Sequence, residues 1–148
     1  MLFDELMHSE AIHVQADHLV EWVHEHEAVL VGAEVATAFA AVVAALPWGP
    51  TSLDKAAMPG LLSRDDDAEL SRLVGRARLG RHPKVYLMYD PDEPGLIAPL
   101  ADVLTDLDLL YWRAPGYRYF CGASTDLEPA FDDLAEYEAS YGTVWLRS

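Results

Sequence analysis

Basic residues are scarce in this chain of 148 residues: ten Lys and Arg stand against twenty-five Asp and Glu, a formal charge of −15. That shortage argues against nucleic-acid and membrane partners, because phosphate backbones and anionic lipids repel a surface of like sign. Cysteine is almost absent. Cys121 alone cannot build an internal disulfide framework, and it fits a reducing compartment, so a cytoplasmic location is expected. A basic leader is missing too, since Met1-Leu2-Phe3-Asp4-Glu5 is acidic where a secretory signal begins with positive charge. The one apolar run of membrane-spanning length, Ala28 to Leu46, contains Gly32 and Glu34, leans on weakly apolar Ala and has no flanking Lys or Arg. It reads as buried core. No glycine-rich phosphate loop or dinucleotide fingerprint occurs, and Ser124 lacks the surroundings of a serine-hydrolase elbow.

What is present is enough apolar material to fold. Hydrophobic residues make up 51% of the chain, with four Trp, seven Tyr and four Phe, a composition that disordered chains do not have. The length suits one domain with one core, residues 1–148, in which 1–83 are mainly helical. The charge is bipartite: residues 1–60 hold nine acids and one Lys, 61–84 hold four acids and six bases, and 85–148 hold twelve acids and three Arg.

Ala11 to Ala16 alternates well enough to be a short strand, with Asp17 a plausible N-cap for a helix over His18 to Ala28. A second helix is expected over Glu34 to Leu46, where Val35, Phe39, Val42, Val43 and Leu46 recur at helical spacing before Pro47 stops it. Residues 28–32 are readable as strand or helix. A third helix starts at Asp65-Asp66-Asp67, carries Leu70, Leu73, Val74 and Ala77, and is ended by Gly80. Its Arg72, Arg76 and Arg78 match the macrodipole, the plain account of the only basic island.

From residue 84 the pattern is sharper. Val85 to Tyr89 reads as a strand, residues 90–95 as a loop, and Pro99 to Leu107 as a helix. Leu109 to Trp112 and Tyr117 to Cys121 read as strands around Ala114-Pro115-Gly116. Thr125 and Glu128 resemble a capping box ahead of a helix lined by Phe131, Leu134, Ala135 and Tyr141, and Val144 to Leu146 closes as a strand. The order is βαββαβ over 84–148, so the expected fold is α+β: an N-terminal helical segment packed on a ferredoxin-like four-stranded sheet.

Chemical constellations are weak. Five of the six histidines lie between His8 and His26, but their successive gaps of five, five, six and two do not put ligands on one helix face, so no metal or cofactor is expected. Cys121 ends an apolar strand, where a thiol behaves as a small buried hydrophobe. The aromatics Tyr111, Trp112, Tyr117 and Tyr119 are of the types that dominate binding hot spots, although alternation across a sheet would also make them core. These features point to a small acidic binding module for a basic protein, of the inhibitor or immunity-protein kind, whose negative field speeds encounter. Asp90, Asp92, Glu93, Asp102, Asp106 and Asp108 would supply charge and Trp112, Tyr117 and Tyr119 would anchor the partner. The alternatives are a small enzyme or ligand-binding protein with a pocket near Cys121, Tyr119 or the histidines, and a homodimer through an exposed sheet face.

Overall fold

One antiparallel sheet of seven strands organises the molecule, seen in a computed structural model that describes residues 17–63, 67–111 and 116–148. In chain order the elements are α1 (Asp17–Glu25), β1 (Val29–Val31), α2 (Ala33–Ala44), β2 (Gly60–Ser63), α3 (Asp67–Val74), β3 (Lys84–Leu87), β4 (Gly95–Pro99), α4 (Leu100–Thr105), α5 (Leu107–Leu110), β5 (Tyr117–Ala123), β6 (Pro129–Glu138) and β7 (Thr143–Arg147). Short 3₁₀ turns occupy Lys55–Ala57 and Arg78–Arg81. The strand order is β1-β4-β3-β5-β6-β7-β2, so the two strands of the first half form the two edges.

The α+β class is as expected, but the ferredoxin-like arrangement is not what the chain forms. Residues 129–138 are the longest strand rather than a helix. The reason is two-sided burial. Leu134 to Tyr137 are all buried, with Ala135 and Tyr137 in one core and Leu134 in the other, so no polar face exposes the period of two. The Thr125 to Glu128 stretch is accordingly a turn between strands, closed by Ser124 N–H donating to Glu128 O at 3.0 Å and Glu128 N–H donating to Ser124 Oγ at 3.2 Å. Leu109 belongs to helix α5 and not to a strand, while Gly95–Pro99, read in part as loop, is a buried strand. Of the first-half ambiguities, Val29–Val31 is a strand, and Gly60–Ser63 is an edge strand that its composition did not announce. Helix α3 ends at Val74, before Gly75. Only Arg72 therefore lies in its last turn, and Arg76 and Arg78 owe nothing to its dipole.

Helices lie on both faces of the sheet. On one, Leu19, Trp22 and Val23 of α1, Leu70, Leu73 and Val74 of α3, Val103 of α4 and Leu107 and Leu110 of α5 pack with Val85, Leu87, Leu96, Phe120, Ala135 and Leu146. On the other, α2 lays down Ala36, Phe39 and Val43, while the 47–59 segment adds Leu53 and Met58 over Tyr86, Ile97, Tyr119, Leu134 and Trp145. Alanine-rich α2 suits this position, since small residues let a helix sit close to a sheet and Ala has the best intrinsic helix propensity. The 47–59 segment holds its own shape: Gly49 N–H donates to Ser52 O at 2.7 Å, Asp54 N–H donates to Pro47 O at 2.9 Å, and Asp54 caps the following 3₁₀ turn. Among the described residues, no helix is long and apolar enough to cross a membrane.

Candidate functional site

The residues expected to bind a partner are distributed over two faces. Asp102, Asp106 and Asp108 stand on and beside the short helices α4 and α5. Trp22 Nε1–H donates to Asp106 Oδ2 at 2.8 Å, and the Tyr137 hydroxyl donates to Asp108 Oδ1. The His26 ring, stacked on Trp22 with centroids 4.4 Å apart, lies 3.5 Å from Asp102 Oδ2 and 4.0 Å from Asp106 Oδ2. Indole and phenol donors are neutral, so they fix Asp106 and Asp108 in place without cancelling their charge. Asp90, after β3, receives Arg118 Nη1–H at 3.1 Å, and the same guanidinium nitrogen donates to Tyr89 O at 2.6 Å. Asp92 and Glu93 follow in the same loop, which Thr37 of α2 holds by donating its hydroxyl to Pro91 O at 2.8 Å. Trp112 lies outside the described residues.

Tyr117 and Tyr119 are on the opposite face of the sheet, in a cluster with residues the sequence pattern did not single out. Glu136 of β6 stands directly across the ladder from Tyr119 and from Trp145. It is only 4% exposed, and both its carboxylate oxygens are engaged: Lys55 Nζ donates to Oε1 at 2.9 Å and the Tyr119 hydroxyl to Oε2 at 2.7 Å. The Lys55 ammonium lies 5.9 Å from the Tyr117 ring centroid and 5.7 Å from that of Trp145, within cation–π range of both. Trp48 meets Tyr119 edge-on at 6.2 Å. The rim is formed by Trp48, 44% exposed, and Tyr117, 45% exposed. Burial, reinforced by the bond to Glu136, raises the Tyr119 hydroxyl far above the ordinary phenol range.

This site is a carboxylate floor walled by aromatic rings with a cation on it. Its position follows from register: Tyr119, Glu136, Trp145 and Leu62 fall on one row across β5, β6, β7 and β2. Gly60 permits it at the edge, because a Cβ there would lie 1.9 Å from Trp145 Nε1. Lys55 carried one signal in the sequence, as the only basic residue among the first sixty. Trp48, between Pro47 and Gly49 in a loop, carried another. Glu136 carried none, because it is one of four acids within residues 132–138, a pattern that reads as the solvent face of a helix.

The other expected chemistry sits apart. Cys121 is wholly buried, and burial, with the nearby Asp133 charge, pushes its thiol well above its ordinary value, the reverse of what a nucleophile needs. His82 Nε2 donates to Asp133 Oδ2 at 2.6 Å where the β5–β6 ladder slips between Cys121 and Gly122. His18 and His24 belong to α1 and His26 to the turn after it, and His8 and His13 lie outside the described residues. No group of three or more metal-ligating side chains occurs among the described residues. The chain matches no family model, no curated protein and no solved structure at a significant level.

Proposed function

We propose that this chain is an acidic binding module that captures a basic protein, in the manner of an inhibitor or immunity protein, with its contact centred on Trp48 and Tyr117. The observation that carries this reading is the exposure of those two rings at the rim of a buried carboxylate, in a chain of charge −15. Large aromatics are the side chains on which protein interfaces concentrate their affinity, and folding leaves these two half in water. Long-range attraction supplies the rest. The acids of the α4–α5 face, with Asp92 and Glu93 of the 90–93 loop, outnumber the one guanidinium, Arg118, that pairs with Asp90, and a field of that sign raises the encounter rate with a cation-rich surface by about 10 to 10³-fold.

The test is capture from native lysate followed by kinetics on the captured partner. The partner is expected to be basic, its association rate to fall steeply as salt rises, and Trp48→Ala and Tyr117→Ala each to weaken the complex about tenfold or more. Circular dichroism and melting should show both variants folded, since each ring is half exposed. A neutral or acidic partner bound at a salt-independent rate overturns the reading.

A further inference from the structure

We infer that the Glu136 seat is an exchange site for an alkylammonium group: Lys55 fills it in the free protein, and a lysine of the basic partner takes its place in the complex. The inference rests on the reading just given and names the chemistry of its central contact.

A buried carboxylate cannot stand alone. With Glu136 4% exposed, removal of its cation would leave an uncompensated charge in a low-dielectric setting, and a replacement cation would offset that cost. The walls are specific for one. Tyr117 and Trp145 present ring faces to the ammonium, and the Tyr119 hydroxyl holds the second carboxylate oxygen so that the first points at the ligand. Aromatic walls with an acidic floor suit lysine-type ammonium ions.

The present occupant is replaceable. The Lys55 side chain is 30% exposed, so part of it is open to solvent beside the half-exposed Tyr117 ring. Leu53 and Met58, both buried, anchor the 47–59 segment on either side of it, so the segment need not leave when the side chain does. Exchange is close to balanced: the incoming ammonium meets a carboxylate already desolvated, while Lys55 swings into water and regains its hydration. Such a swap avoids most of the desolvation cost that building a new buried ion pair would carry.

Only two lysines occur in the chain, Lys55 and Lys84, and this makes the exchange readable. An amine-reactive label should modify Lys55 of the unaltered protein slowly, with Lys84 as the internal reference. Addition of a tetralysine peptide should raise Lys55 labelling several-fold while Lys84 stays constant, whereas ordinary docking over the site would lower it. In parallel, Lys55→Ala protein should bind butylammonium saturably, about tenfold or more tighter than the unaltered protein does, and should ignore butanol. Adding Glu136→Gln should abolish that binding. A folded Lys55→Ala variant that binds neither compound, or both equally, overturns the inference; if that variant does not fold, the labelling experiment decides. Tetralysine that binds in a salt-dependent way while Lys55 labelling falls or stays level overturns the exchange and leaves the basic-partner reading standing. Absence of tetralysine binding even at low salt overturns both.

Discussion

Tyr119 and Glu136 face each other across the β5–β6 ladder, and the phenol donates to the carboxylate at 2.7 Å inside the core. One bond to a charged acceptor in such a setting contributes more than a neutral one, and its loss leaves a buried oxygen unsatisfied. Tyr119→Phe is therefore expected to destabilise the protein by about 1–3 kcal/mol in denaturant unfolding. Glu136→Gln should cost a comparable amount, because it strips Lys55 of its partner. The double variant should cost less than the sum of the two, and strict additivity would show that the two groups do not act together.

Alkali should unfold the protein in a defined window. Burial keeps the hydroxyls of Tyr86, Tyr89, Tyr111 and Tyr119 protonated far above the ordinary value of 10.0, and burial with Asp133 does the same for Cys121 above 9.0. A raised folded-state pKa means that the unfolded chain loses its proton first. Stability from these groups is thus fully present below about pH 9 and declines as pH rises through 9–10 and beyond, by roughly 1.4 kcal/mol per pH unit for each group fully shifted. The denaturation midpoint should stay level up to that point and then fall. Phenolate absorbance from the four buried rings should appear together with unfolding; its appearance in the folded state would contradict their burial.

How far the sequence could be read depended on whether an element's apolar residues stood out from what flanks them. Helix α2 and strand β3 were readable because their apolar residues recur against a polar or loop background, at Val35, Phe39 and Val43 in one case and over Val85 to Leu87 in the other. Strand β6 was not, because Asp132, Asp133, Glu136 and Glu138 break its apolar run and the inward Glu136 imitates a solvent-facing position. Edge strands β1 and β2 contribute three and four residues, too short for any period to emerge. The candidate site suffered from the same limits: Tyr117 and Tyr119 were found as an aromatic pair, but their partners Lys55, Trp48 and Trp145 come from remote segments that only the β5–β6–β7–β2 row brings together.

Two glycines should respond oppositely to alanine. A Cβ on Gly95 would lie 2.3 Å from Leu87 O, a backbone atom of the neighbouring strand, and 2.8 Å from Tyr86 Cε1. Neither can yield without disturbing the β3–β4 ladder, so Gly95→Ala is expected to cost about 1–3 kcal/mol or more. On Gly75, just past α3, the nearest atom would be Arg72 O at 3.5 Å, an ordinary contact. Gly75→Ala should be neutral or stabilise by about 0.4–1 kcal/mol through the unfolded chain. Thermal melts of the two variants, side by side, check the assignment of β4 as a tightly paired inner strand.

The acidic residues should separate into those that hold the fold and those that only attract. Asp106 accepts the Trp22 indole and so fastens α1, whereas Asp92 is exposed in the 90–94 loop. Asp106→Ala is expected to destabilise by about 1–3 kcal/mol, because it leaves the indole of a core tryptophan without its acceptor. Asp106→Asn, which keeps an acceptor oxygen, should cost less. Asp92→Lys should leave the melting temperature unchanged within error and slow association with a basic partner about two- to fivefold at low salt, a difference that closes as salt rises. Its dissociation rate should not change. If dissociation quickens instead, and the effect persists at high salt, Asp92 lies in the contact itself and the interface extends from the Trp48–Tyr117 rim to the 90–94 loop.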